Sequence, residues 1–378
     1  MPSSFSALPI PALSPDGWVR AQVRGRVGFL TLHRPGALNA LSLSMVRDLT
    51  AVLLHWAADP AVLAVVLQGQ GREGKPPALC AGGDIRFFHQ AALAGDPRLE
   101  DFFTEEYALN HLIHTYPKPY LAVMDGITMG GGMGISQGAR LRIATEHSKL
   151  AMPETHIGLF PDVGGGWFLS RCPGHVGEYL AMTGEALGAA DAVAVGLADV
   201  QVRSADLPAL MDRLASDTLL SADDVLACVT GVAQPVAESP LLLPPRRESI
   251  DLHFSQGSLA DIAASLATAS GEFARHTLAA LHKRSPLMLA VALEQIRRAR
   301  TMTLADDLRM ERDLVRHCFH LRPGTASETV EGIRALVIDK DHQPRWNPAQ
   351  LADVTEAMVA DFFVSPWPAH VHPLRALA

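Results

Sequence analysis

The chain has 378 residues, 48% of them hydrophobic and 19% charged, enough apolar material to bury a core and roughly two to three structural units. Lysine and arginine number 32 against 40 aspartates and glutamates, a formal charge of −8. That balance excludes binding nucleic acid through a cationic surface, so an anionic ligand must be met by local donors.

Residues 1–17, rich in proline and serine, predict a flexible arm; they lack the basic start and apolar stretch of a secretory signal and the arginines of a transit peptide. Trp18–Arg24 and Val27–Leu32 predict a hairpin around Gly25-Arg26. Met45, Leu49, Val52, Leu53 and Trp56 recur at helical spacing, so Ser42 to Ala58 predicts a helix. The apolar run Val62–Leu67 predicts a buried parallel strand, and Gln68–Pro77 a loop. A helical stretch is expected from about Ile85 to His114, and a second buried strand over Tyr120–Met124. Gly130–Gly132 opens a helix toward Ala139, Leu141–Ala144 is a short strand, and Gly164–Gly166 opens another helix. The alternation predicts an α/β core over 18–203, and 204–378 reads as mainly helical. Pro235–Arg247 is expected as a loop; Ser285-Pro286 predicts a helix start, and a further helix is expected near Leu304–Phe319. No apolar run reaches the length of about eighteen residues that a membrane span needs.

Gly134-Ile135-Ser136-Gln137-Gly138 matches the nucleophile-elbow pattern, but Ser136 falls inside a predicted helix rather than on the turn after a strand. His111 with His114, and His317 with His320, stand three apart without the glutamate of a zinc helix, and read as surface or half-buried side chains. No nucleotide-triphosphate loop or dinucleotide fingerprint is present. Cys80, Cys172, Cys228 and Cys318 form no CxxC pair, which excludes a disulfide scaffold and a zinc ribbon and suits a reducing compartment. Together with the missing leader, this predicts a cytoplasmic protein without metal, membrane or nucleic-acid partner.

Two glycine turns carry more. Cys80-Ala81-Gly82-Gly83-Asp84-Ile85 and Asp125-Gly126-Ile127-Thr128-Met129-Gly130-Gly131-Gly132 each follow a predicted strand and precede a helix. Glycine lets backbone N–H groups face one point, where two of them can hold a developing oxyanion; tight packing turns would have the same composition. In Met152-Pro153-Glu154-Thr155-His156-Ile157-Gly158-Leu159-Phe160-Pro161-Asp162-Val163-Gly164, the carboxylates Glu154 and Asp162 sit among apolar residues, which suits a general base or acid or, more plainly, turn and helix caps. Glu105-Glu106 reads by itself as a solvated helix face.

In this order, His33-Arg34-Pro35 with Leu38-Asn39-Ala40-Leu41, CAGGDI, GITMGGG and MPETHIGLFPDVGGG resemble the crotonase (enoyl-CoA hydratase/isomerase) superfamily. Phe102–Tyr107 and Glu331–Asp341, with Pro344 and Trp346, bring the likeness to the subgroup of 3-hydroxyisobutyryl-CoA hydrolases. The resemblance spans about Trp18 to Phe363 and is featureless over Ala205–Leu281. It implies a spiral of ββα units with a C-terminal helical region that can build a homo-oligomer. It also implies an acyl-CoA substrate, with coenzyme A as part of that substrate and no separate cofactor. It places the oxyanion donors at Gly83 and Gly131, CoA contacts at Ala81, Asp84 and Ile85, catalytic carboxylates at Glu154 and Asp162, and the acyl 3-hydroxyl at Glu106.

Hydratases of the superfamily use a second glutamate just after the glycine triplet; here that place is Gly134, and Asp162 stands where they usually have glycine. Losing one acid of the pair removes the means to deliver both water and proton. The expectation is therefore hydrolysis of a short 3-hydroxyacyl-CoA thioester, in the setting of valine breakdown. A hydratase or isomerase on a related acyl-CoA is the alternative, and an acyl-CoA-binding relative without catalysis the alternative of another class.

Overall fold

The structure, a computed structural model, describes residues 7–216, 218–233 and 241–378. The predicted arm therefore lies partly outside the described residues; from Ala7 on, Leu8 N–H donates to Asp59 at 2.8 Å and Ser14 N–H to Asp48 at 3.0 Å. The chain divides into two units, each made of three segments: Met1–Gly83, Leu109–Leu150 and Leu187–Pro240 in the first, and Asp84–Ala108, Ala151–Ala186 and Leu241–Ala378 in the second.

The strands are β1 (Val19–Arg24), β2 (Val27–Leu32), β3 (Ala64–Gly69), β4 (Ala78–Cys80), β5 (Tyr120–Met124), β6 (Ile127–Met129), β7 (Leu141–Ala144), β8 (Lys149–Ala151) and β9 (Val200–Gln201). β1 and β2 form the predicted antiparallel hairpin, with Arg24 opposite Val27. One sheet runs β1-β2-β3-β5-β7-β9, parallel from β2 onward; the other runs β4-β6-β8. The pairs β3–β4, β5–β6 and β7–β8 each place one strand in either sheet and lead into a helix, so the chain repeats a ββα step. That repeat is the expected fold. The three-residue strands β6 and β8 escape sequence reading, because a period of two needs more residues to show. Val27, Phe29, Val66, Leu121, Val123 and Ile143 form one core with Leu210, Leu214, Val225 and Val229. Alternate strand residues thus meet the apolar face of the helices Leu207–Leu214 and Ala222–Thr230.

Helix starts follow their caps. Ser42 Oγ accepts from Met45 N–H ahead of Leu43–Ala58, Ser285 caps Pro286–Ala299, and Thr303 caps Leu304–His320. The stretch expected as one helix to His114 is two, Ile85–Ala94 and Arg98–His114, parted at left-handed Gly95 and at Pro97. The loop expected over Pro235–Arg247 needs correction. Residues 234–240 lie outside the described residues, but Leu243–Arg247 begins the helix Leu243–Phe254. Pro244 and Pro245 sit in its first turn, where no N–H is required.

Gly126 has φ +84°, and a Cβ there would stand 1.9 Å from the Pro77 carbonyl oxygen. Gly126→Ala is expected to lower the unfolding free energy by about 3 kcal/mol or more, as backbone strain adds to the clash, and urea unfolding measures it.

Candidate active site

In the first unit the two glycine turns lie against one another. A Cβ on Gly82, whose φ is +113°, would come within 3.8 Å of the Gly131 nitrogen and 3.6 Å of the Met129 oxygen. Gly132 is tighter still: its Cβ would meet the Cys80 oxygen at 2.3 Å, so only glycine lets the helix Gly131–Gln137 start so close to β4. The first turn is held from its far side. Buried Asn39 donates to the Ala78 carbonyl at 3.0 Å, Ala81 N–H donates to Leu38, and Leu41 N–H donates to Gly82. Those bonds occupy groups just ahead of Gly83, whereas the N–H groups of Gly83 and Gly131 donate to nothing among the described residues. Two unengaged backbone donors on adjoining turns suit a carbonyl oxygen. Ser136 is fully buried and donates back to Gly132 at 2.8 Å inside its helix, so it is no nucleophile elbow.

In the second unit Asp84 caps the helix Ile85–Ala94 by accepting from Phe87 N–H, and Ile85 is that helix's first residue. Glu106, on the helix that starts at Arg98, is 2% exposed, Glu154 7% and Asp162 5%. Glu106 is thus no solvated face. The structure brings these three together: Glu106 feels the charge of both others, and Glu154 that of Asp162. Burial first, then Asp162 and Glu154, push Glu106 well above the usual carboxylate range. Burial and Asp162 do the same to Glu154, and burial raises Asp162 to about 6 against a bond from Tyr107 that lowers it. Tyr107 Oη donates to Asp162 Oδ2 at 2.8 Å. Glu106 Oε1 and Glu154 Oε2 are buried with no hydrogen-bond partner. Like charges this close cannot all ionise at neutral pH, so the cluster holds at once a carboxylate that accepts a proton and a carboxylic acid that donates one. Among the described residues no group of three or more His, Cys, Asp or Glu could hold a metal ion.

Sequence reasoning missed what seats these acids. Glu311 Oε2 accepts from Gly164 N–H at 2.7 Å and Oε1 from Gly166 N–H at 2.9 Å; Asp307 accepts from Trp167 N–H at 2.8 Å. Gln295 joins Glu311 to the Pro161 carbonyl, at 2.9 and 2.7 Å. The backbone on both sides of Asp162 is therefore clamped, and the clamp supports Val163 at φ +58°, a conformation a β-branched side chain resists. The available signal was Asp307 and Glu311 standing four apart among Leu304, Leu308 and Val315, acids placed on an apolar stripe. Glu154 is seated by the C-terminal motif. Thr329 Oγ1 donates to the Gly158 carbonyl at 2.7 Å, and a Cβ on Gly332 would lie 2.3 Å from the Ile157 backbone.

Two outcomes follow from this packing. Glu311→Ala strands two buried N–H groups and is expected to cost about 3 kcal/mol, read as a lower urea midpoint. Asp162 is raised from 3.8 to about 6 in the folded chain, so the native state binds more protons across that interval and loses stability as pH rises through it. Asp162→Asn escapes this loss: it is expected to be more stable than the parent at pH 8 by on the order of 2 kcal/mol, with the gain vanishing toward pH 4 in parallel melts.

The family model described as enoyl-CoA hydratase/isomerase matches residues 27–363. The 3-hydroxyisobutyryl-CoA hydrolase, mitochondrial, of Xenopus tropicalis is 40% identical over 353 residues, 93% of this chain and 89% of that protein. The human protein of the same name is 37% identical over 350 residues, 92% and 88%. A solved enoyl-CoA hydratase from Rhodobacter sphaeroides 2.4.1 superposes with a TM-score of 0.82 at 37% identity, covering 93% of this chain and 98% of that one. A carnitinyl-CoA dehydratase from Mycobacterium thermoresistibile gives the same values. The expected cytoplasmic location is overturned by these comparisons, since the curated relatives are named as mitochondrial. Free cysteines report a reducing setting, which does not single out a compartment. Fold and sequence likeness agree: the chain belongs to the enoyl-CoA hydratase/isomerase family.

Proposed function

We propose that the chain is an acyl-CoA thioester hydrolase that converts 3-hydroxyisobutyryl-CoA to the free acid and CoA. The observation that carries this reading is the buried trio Glu106, Glu154 and Asp162, with an oxygen of Glu106 and one of Glu154 left unpartnered. The relatives named above as 3-hydroxyisobutyryl-CoA hydrolases support the same substrate. The helix Gly131–Gln137 carries no acidic side chain, so the second glutamate that a hydratase places there is missing.

The roles follow from chemistry. The N–H groups of Gly83 and Gly131 polarise the thioester carbonyl and take up the charge that develops on its oxygen. Glu154, ionised, withdraws a proton from water as it attacks the carbonyl carbon, or attacks that carbon itself to give an anhydride that water then opens. A carboxylate whose pKa is raised is the more basic when it does ionise, so burial makes Glu154 the stronger reagent. The C–S bond breaks, and Asp162, which orients Glu154 or the water, passes on to the departing thiolate the proton that the water gives up. The orphan Glu106 oxygen accepts from the acyl 3-hydroxyl; an acyl chain without that hydroxyl leaves it unpaired and is selected against. Ala81, Asp84 and Ile85 contact CoA. The reaction takes a hydroxyacyl thioester formed in valine breakdown and releases a hydroxy acid.

Glu154→Gln keeps the side chain's volume and is expected to lower thiol release from 3-hydroxyisobutyryl-CoA by roughly 100-fold or more, followed with a thiol reagent. A folded variant with near-parental turnover would refute the assignment. Loss of enoyl absorbance without thiol release would identify a hydratase instead.

A further inference from the structure

The second unit holds a cavity of about 640 Å³ that none of the proposed roles uses, lined by Arg284, His156, Tyr179, Thr183, Arg246 and Phe273, among others. Its charges do not cancel group by group. Arg246 pairs with Glu185 at 3.0 Å, and Glu185 also takes the Tyr179 hydroxyl. Glu272 stands at the exposed rim beside His276, 3.8 Å away. Arg284 is the odd cation. It donates only to the Thr183 carbonyl, at 3.2 Å; its Nε is buried without a partner, and no carboxylate pairs with it among the described residues. Burial of this guanidinium is felt nearby: with its own burial, Arg284 holds His156 down to about 4, so that ring is neutral. A half-buried cation with no counter-ion is costly unless an anion reaches it. The opposite character comes from Phe273 and Tyr179, whose rings pack 5.6 Å apart.

We propose that this cavity binds an organic monocarboxylate, its carboxylate on Arg284 and its apolar body against Phe273 and Tyr179. The two arginines and two glutamates of the lining balance overall, but Arg284 has no carboxylate of its own among the described residues, so its local positive charge suits one negative charge; a dianion would also face Glu185 and Glu272. The volume lies in the range of ligand pockets, and a fixed guanidinium fork suits a carboxylate's two oxygens. The inference stands on residues other than Glu154 and Asp162 and survives a different reading of their chemistry.

Calorimetric titration of the full chain with phenylacetate tests it. One molecule is expected to bind per chain, with the affinity unchanged in Glu154→Gln, which separates this cavity from the proposed catalytic residues. Arg284→Gln is expected to weaken binding about tenfold or more, since it removes a charge-assisted bidentate contact. Phe273→Ala is expected to weaken it as well, and decides the matter should Arg284→Gln fail to fold. No binding at millimolar phenylacetate, or unchanged affinity in the folded variants, overturns the proposal. Inorganic phosphate binding as tightly as phenylacetate overturns the assignment to a monocarboxylate.

Discussion

Mutual repulsion of buried acids is the constraint around which the second unit is built. Glu106, Glu154, Asp162, Asp307 and Glu311 are all withdrawn from water, and Asp162 bears on Glu106, Glu154 and Glu311 alike. Such a concentration of negative charge is tolerated because backbone N–H groups and hydroxyls point into it and because protons stay on some members. Asp307 and Glu311 are held by Gly164, Gly166 and Trp167, Asp162 by Tyr107. Glu106 and Glu154 keep unanswered oxygens. Asp307 keeps one as well, at Oδ1, but Asp307 and Glu311 also hold backbone N–H groups of the segment that follows Asp162.

The first unit solves a different problem, how to bring backbone close to backbone. Gly126 against Pro77, Gly132 against Cys80 and Gly69 against Ala78 all occupy spaces where a Cβ would overlap a neighbouring main chain. These approaches let the three-stranded sheet nest beside the six-stranded one while the intervening turns stay short. The same compactness leaves the amide hydrogens of Gly83 and Gly131 free among the described residues, because the nearby carbonyls are already taken by Leu41, Ala81 and Asn39. Donors without partners are rare in folded chains and mark places where something else is meant to bind.

Much of this was legible in the chain. The hairpin, the helix Leu43–Ala58, β5 and the glycine turns announce themselves by period, cap and composition, which are local properties. Glu154 and Asp162 were visible as acids in apolar company, and Glu106 only through likeness to a family. What could not be read was long-range. Glu311 lies 147 positions from Gly164, and nothing near either residue names the other. The helix over Leu243–Phe254 was hidden because its two prolines look like breakers unless one knows that they occupy the first turn. Compartment was not legible either, since an address need not be written in the fold.

The helix Leu304–His320 holds two neighbouring side chains with different duties. Glu311 clamps the backbone beside Asp162; Arg312, 1% exposed, donates to Thr104 at 3.0 Å and pairs with Glu100 on the helix that carries Glu106. Arg316 and His320 fasten the same Glu100, at 2.8 and 2.7 Å, and together they hold its carboxyl down to about 2. One rigid rod therefore gauges the spacing between the acid assigned to cleavage and the acid assigned to choosing the acyl chain. Sliding or rotating that rod would move both acids at once.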